Sequence, residues 1–183
     1  MVAMTDLSAG QRPGALTALA SRVASSRAGL GRATTPYRVI REIPVPMRDG
    51  VVLRADLFAP AAPARNTLLM RTPYGRSNLP AVVTAGLYAE RGFQVVLQSV
   101  RGTFGSGGVF EPGRHEIDDA ADTVAWMRTQ PWFGGQFATI GSSYLGFTQW
   151  ALLADPPAEL ATAVIGMAPH DFAQSGWSTG AFA

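Results

Sequence analysis

Residues 137–140 form a short apolar run that breaks into Gly141-Ser142-Ser143-Tyr144-Leu145-Gly146, and residues 147–154 resume with the apolar density of a helix. A strand that enters a helix through a serine between glycines leaves the chain few architectures. The turn is sharp, the serine backbone is strained, and its neighbours must lack bulk where chain approaches chain. Such a turn sits at the edge of a sheet that carries helices, and it holds a hydroxyl above that edge. Gly141, two residues before Ser143, supplies the missing bulk. The amide of Tyr144, directly after the serine, points toward any oxygen that attack by the hydroxyl on a carbonyl would create. The general form of this turn is GxSxG; here Leu145 stands two after the serine and glycine follows one later, at Gly146. Read from Ser142 the pattern fails, because Ile140 occupies the position that needs glycine. Ser143 is therefore the candidate nucleophile, with a tight turn of no chemical consequence as the plain alternative.

The rest of the chain agrees with a sheet-and-helix domain and excludes other chemistries. Its 183 residues suit one domain with a sizeable core, and 47% hydrophobic residues with a mean hydropathy of +0.11 is globular composition. No apolar run approaches the ~20 residues that span a bilayer. The first ten residues lack the basic, then apolar, then small-residue order of a secretory signal, so the expected location is cytoplasmic. With no cysteine, disulfides, thiolate catalysis and cysteine-ligated metals are excluded, and two histidines, His115 and His170, are too few for a histidine-rich metal site. All fifteen basic residues are arginine, and they are unevenly placed: residues 1–41 carry six against one acid, net +5, while the remainder carries nine against twelve, net −3. The isoelectric point near 9.5 thus belongs to the leader and gives no reason to expect a nucleic-acid partner.

Along the chain, residues 1–14 are polar and are expected to be disordered. Residues 15–31 read as a helix with Leu16, Leu19, Val23 and Leu30 on its docked side. Residues 38–47 and 51–58 alternate about Arg48-Asp49-Gly50 as a β-hairpin, and residues 67–70 form a short buried strand. A helix over 81–91 capped by Gly92 leads into 93–100, the most continuous apolar run and the expected central parallel strand. The glycine-rich loop 101–111 holds neither GxGxxG nor GxxxxGK[ST], so it is no nucleotide cradle. Residues 115–130 read as an amphipathic helix with Ile117, Ala121, Val124 and Met127 inward and with Asp118, Asp119 and Asp122 solvated near its start, rather than as a metal site. One further strand is expected over 162–167. Strands alternating with helices after an initial hairpin define an α/β domain with a mostly parallel sheet over 37–183, preceded by a basic leader over 1–36.

Several separated stretches carry a family resemblance. Val45-Pro46-Met47-Arg48-Asp49-Gly50-Val51, Arg71-Thr72-Pro73-Tyr74, Gln98-Ser99-Val100-Arg101-Gly102, Asp122-Thr123-Val124-Ala125-Trp126, Gln130-Pro131-Trp132 and the serine turn itself occur in the order seen in the cocaine esterase and X-Pro dipeptidyl-peptidase group of α/β-hydrolases. Tyrosine directly after the serine and glycine three after it is that group's own form of the turn. The resemblance, over residues 37–183, implies an α/β-hydrolase fold and a serine hydrolase of acyl esters or X-Pro peptide bonds. It implies Ser143 as the acylated nucleophile, the Tyr144 amide as one oxyanion donor, the Tyr74 phenol as the second, and Trp177 as an aromatic wall of the substrate pocket. A tyrosine phenol, with an ordinary pKa of ~10, is protonated at neutral pH and can donate one short hydrogen bond. A Tyr in a Pro-Tyr-Gly turn and a packed Trp are the plain alternatives.

Serine needs a base and the base an orienting acid, and in this fold both follow the serine far downstream. Only forty residues follow Ser143. His115 precedes it, His170 falls where the family begins its helical cap, and Asp171 is its neighbour; neither His170 nor Asp171 is assigned to the triad. The expectation is the amino-terminal part of a longer hydrolase, ending before the cap and the final strands, with a small-molecule ester or peptide as partner, no nucleic acid or membrane, and no cofactor. The alternative is a non-catalytic remnant or interaction module whose open sheet edge pairs with another chain.

Overall fold

A computed structural model describes residues 4–177. Six strands form one sheet: β1 (Tyr37–Pro46), β2 (Val52–Pro60), β3 (Thr67–Thr72), β4 (Gln94–Ser99), β5 (Phe137–Ser142) and β6 (Leu160–Gly166), in the spatial order β1-β2-β4-β3-β5-β6. The first two pairings, β1 with β2 and β2 with β4, are antiparallel, and β4, β3, β5 and β6 run parallel. The helices are α1 (Ala15–Arg27), α2 (Leu79–Ala89), α3 (Glu116–Arg128), α4 (Tyr144–Leu153) and α5 (Phe172–Trp177).

Each element follows from a local cause. Gly50, at φ +85°, closes the β1–β2 hairpin while Asp49 accepts from the Val51 amide at 3.1 Å. All six residues of β3 and of β4 are buried, as expected of interior strands covered on both faces. Alternation then sorts the core into two layers. Leu53, Ala55, Leu57, Leu69 and Val96 face one side and pack with Ala120, Val124 and Met127 of α3. Phe58, Leu68, Met70, Val95 and Leu97 face the other and pack with Val82, Ala85 and Ala89 of α2.

β1 carries a register shift between Ile40 and Ile43 that the alternation did not reveal. Glu42 sits there at φ +56°, its amide donating to Asp56 Oδ1 at 3.0 Å while Arg41 reaches Asp56 Oδ2 at 2.9 Å. Arg76 completes the cluster from the other side, donating to Asp56 at 3.1 Å, to Ser99 Oγ at 2.8 Å, and pairing with Glu42. A bulge that would strain a β-branched residue is thus held by a buried carboxylate.

Three expectations are corrected here. Gln11 pairs with Val39 through two backbone hydrogen bonds of 3.0 and 2.8 Å, so the described part of the first fourteen residues is tied to the sheet edge rather than disordered. In α3, Ile117 is half exposed, and the buried face is Glu116, Asp119, Ala120, Thr123, Val124, Trp126 and Met127. Asp119 is not solvated but buried against Arg101, at 2.6 and 3.1 Å, while Asp122 and Asp118 pair with Arg48 at the surface.

The third correction concerns α1, which docks by its small residues. Ser21 is fully buried, whereas Leu16, Leu19 and Val23 are 82%, 58% and 43% exposed. The reason lies in α2: a Cβ on Gly86 would stand 2.7 Å from the Tyr37 hydroxyl and 3.3 Å from Ser21 Oγ, so the approach suits small groups and has no room for leucine. Leu16→Ser and Leu19→Ser should therefore each change stability by no more than about 0.5 kcal/mol. Ser21→Leu should cost about 1–3 kcal/mol by overpacking. Urea midpoints of the three variants check this order, and a large cost at Leu16 would put the leucine face back in the core.

Candidate active site

Ser143 ends the turn between β5 and α4 at φ +57° and ψ −127°, a region that a non-glycine residue occupies only when its surroundings impose it. The surroundings do so on three sides. The Ser143 amide donates to Gly166 O of β6 at 3.1 Å, and its carbonyl accepts from Gly146 and Phe147 at 2.9 and 3.1 Å. A Cβ on Gly141 would come to 2.3 Å from Leu145 Cβ, and one on Gly146 to 2.2 Å from Ala168 Cβ. The two glycines are therefore required by contact between β5, α4 and the chain after β6. Leucine at 145 is accommodated because the room is made at 141.

Tyr74 arrives from β3. Thr72 Oγ1 accepts from the Tyr74 amide at 3.0 Å, and Gly75 follows at φ +96° with no room for a Cβ against the Phe104 ring. The turn so fixed brings the Tyr74 hydroxyl to 3.1 Å from Ser143 Oγ, both at the surface, across 69 residues of sequence. Beside them lies a cavity of about 420 Å³ with a mostly apolar wall that includes Met70, Tyr74, Ile140, Leu145 and Val164.

Beneath the turn is a buried polar chain that the sequence reading did not single out. The Tyr144 phenol donates to Glu116 Oε1 at 2.9 Å and accepts from the Gly113 amide at 3.1 Å. Glu116 in turn lies 2.9 Å from the Arg71 guanidinium, with both side chains nearly inaccessible. Arg71 also donates to Gln98 Oε1 at 2.9 Å and to the Glu116 carbonyl at 3.0 Å. Burial, with the negative Glu116 beside it, pushes the Tyr144 phenol above its ordinary range, so it stays a neutral donor. The residue that supplies the first amide of α4 is thereby anchored from below to α3 and β3. The sequence signal for this chain is the Arg71-Thr72-Pro73-Tyr74 stretch, an arginine directly after the apolar residues 68–70 of a buried strand.

Of the remaining candidates, His170, Asp171 and His115 have their partners elsewhere among the described residues. His170 lies against Trp150, ring centroids 6.5 Å apart, and among the described residues it makes no hydrogen bond to Ser143. Asp171 accepts from the Ala173 and Gln174 amides at 2.8 and 3.1 Å, the role of a helix cap for α5. His115 faces Glu111 at 3.3 Å. Trp177 ends α5, and its side chain lies outside the described residues. Among the described residues no cluster of three metal-ligating side chains occurs, and no helix is long and apolar enough to cross a membrane.

A partly parallel sheet with helices on both faces, and a strained serine at the strand-to-helix turn, define an α/β-hydrolase domain. Residues 49–183 match the X-Pro dipeptidyl-peptidase (S15 family) profile, and the chain belongs to that family. Over 146 residues it is 36% identical to the cocaine esterase of Rhodococcus sp. (strain MB1 Bresler), a match that covers 77% of this chain and 25% of that one. Among solved structures it is similar to a CocE/NonD family hydrolase from Staphylococcus aureus, with a TM-score of 0.63, 26% identity, and coverage of 70% and 27%. An α-amino acid ester hydrolase gives a TM-score of 0.58 at 29% identity, covering 69% and 24%. The chain thus spans about a quarter of the length of these relatives.

Proposed function

We propose that the chain carries the nucleophile part of a serine hydrolase that cleaves acyl esters or X-Pro peptide bonds through an acyl-enzyme. The observation that supports this most is the 3.1 Å contact between the Tyr74 and Ser143 hydroxyls, made by residues far apart in sequence on a turn that imposes strain on the serine. In this reading Ser143 Oγ attacks the substrate carbonyl and gives its proton to a base. The resulting oxyanion accepts from the Tyr144 amide and the Tyr74 hydroxyl. Collapse expels the alcohol or amine, and water then hydrolyses the ester on Ser143. Trp177 walls the substrate. No cofactor is needed, because serine supplies the covalent chemistry itself. The same reading takes a small-molecule ester or peptide as the partner and a cytoplasmic location.

The base and its acid belong to the complete hydrolase and are assigned to neither His170 nor Asp171. The isolated chain should accordingly be weak, since loss of a triad member costs several powers of ten. A fluorophosphonate probe, read by intact mass after long incubation, should add one adduct to the chain and none to Ser143→Ala. An adduct that persists in the variant would remove Ser143 from the mechanism. No adduct on a sample with a native circular dichroism spectrum would favour the second reading, an interaction module. That reading draws on β6, which among the described residues pairs only with β5 and leaves Val164 half exposed.

A further inference from the structure

Away from the serine, between α1 and the start of β1, lies an open cleft of about 1310 Å³ walled by the amino-terminal segment, α1, residues 30–38 and the end of α2. Four arginines line it, Arg12, Arg22, Arg32 and Arg38. Among the described residues none of the four forms an ion pair, whereas eight of the other eleven arginines do. The Arg38 guanidinium is oriented by donating to Gly10 O at 3.0 Å. The acid of the lining is Glu90, whose carboxylate is largely buried and lies 4.0 Å from Arg91. Four guanidinium groups around one cavity repel one another, and a single carboxylate shared with a fifth does not balance them.

The walls are fixed. Arg91 donates to Ser25 Oγ at 3.1 Å and to Gly31 O at 2.7 Å, tying both ends of the α1 exit to α2. The Thr34 and Thr35 amides each donate to Glu90 O at 3.0 Å, and the Gln11–Val39 pair holds the segment that bears Arg12. The cleft also offers neutral donors in the Ser26 and Thr35 hydroxyls. Tyr37 also lines the cleft, and its buried hydroxyl, set beside Gly86, has no hydrogen-bond partner among the described residues. A mono-carboxylate would leave most of this charge unmatched. Phosphoryl groups each bring close to two negative charges and three acceptor oxygens, and arginine's planar fork matches them.

We propose that this cleft binds a compact small-molecule polyanion carrying two or more phosphoryl groups. The site is separate from Ser143 and does not depend on the hydrolase reading.

Isothermal titration of the 183-residue chain with sodium tripolyphosphate tests it, at low and at physiological salt. Two double variants match the loss of net charge: Arg22→Gln with Arg32→Gln inside the cleft, and Arg65→Gln with Arg114→Gln outside it. All four side chains belong to exposed residues, so both variants should fold, and thermal midpoints verify that they do. Saturable one-to-one binding is expected for the native chain and the outer variant, with at least about tenfold weaker binding in the cleft variant. Amide shifts on titration should centre on residues 25–35. Absence of binding, equal weakening in both variants, shifts centred elsewhere, or equally tight binding of citrate would each overturn the proposal.

Discussion

Replacing Glu116 by alanine is expected to destabilise the protein by about 3–5 kcal/mol, the cost of leaving a buried charge without its partner. Arg71 would keep Gln98 and the Glu116 carbonyl as acceptors, but its charge would face no carboxylate in a site that is 2% exposed. The Tyr144 phenol would lose its acceptor at the same time. Urea denaturation followed by tryptophan fluorescence measures the loss. Adding Arg71→Met to Glu116→Ala should recover part of it, because an apolar group of similar volume to arginine removes the unpaired charge, while the Tyr144 phenol still lacks the Glu116 oxygen. Gln98 Oε1 would still accept from Thr123 Oγ1, at 3.1 Å. Additive losses in the double variant would mean that Glu116 and Arg71 act independently, contrary to the 2.9 Å contact.

No local pattern marks Arg71 and Glu116 as partners, and they show where local pattern stops. The strands were legible because burial on two faces gives continuous apolar runs at β3 and β4, while β1, with one face buried, keeps much of the alternation and β2 carries Leu53, Ala55 and Leu57 at alternate positions. The turn at Ser143 was legible because its steric demand falls on residues two before and three after it, Gly141 and Gly146. What remained hidden depends on partners distant in the chain. Leu16, Leu19 and Val23 read as a core stripe, but the surface waiting for α1 is built from Gly86 and Tyr37, which admit only small groups. Asp119 read as a solvated first-turn acid, because nothing local says that Arg101 folds back from a glycine-rich loop to meet it. The same fold-back explains the glycines: a Cβ on Gly102 would stand 2.1 Å from the Phe110 amide. Tyr74 entered through family resemblance alone, since no spacing rule links it to a serine 69 residues later.

Tyr74→Phe is expected to slow phosphonylation of Ser143 by about 10²–10³-fold, the usual effect of losing one oxyanion donor. Stability should stay within about 0.5 kcal/mol of the native chain, as for surface substitutions without buried partners. The two halves of this expectation have one structural cause. The Tyr74 side chain is 47% exposed, and the hydrogen bond of its hydroxyl runs to Ser143 Oγ, so removing the oxygen vacates no core volume. In the proposed mechanism that contact orients the serine hydroxyl before attack. Once Oγ bonds to an acyl carbon or a phosphorus, the phenol proton can turn to the oxygen that has become negative. Phenylalanine keeps the ring and the Gly75–Phe104 packing behind it but can donate nothing. The rate of adduct formation with a fluorophosphonate, compared at equal probe concentration for the two proteins, reads the difference directly. Equal rates would assign Tyr74 to the turn alone and leave the oxyanion to backbone amides. A fall in both rate and thermal midpoint would instead place the hydroxyl among the groups that hold the turn in shape.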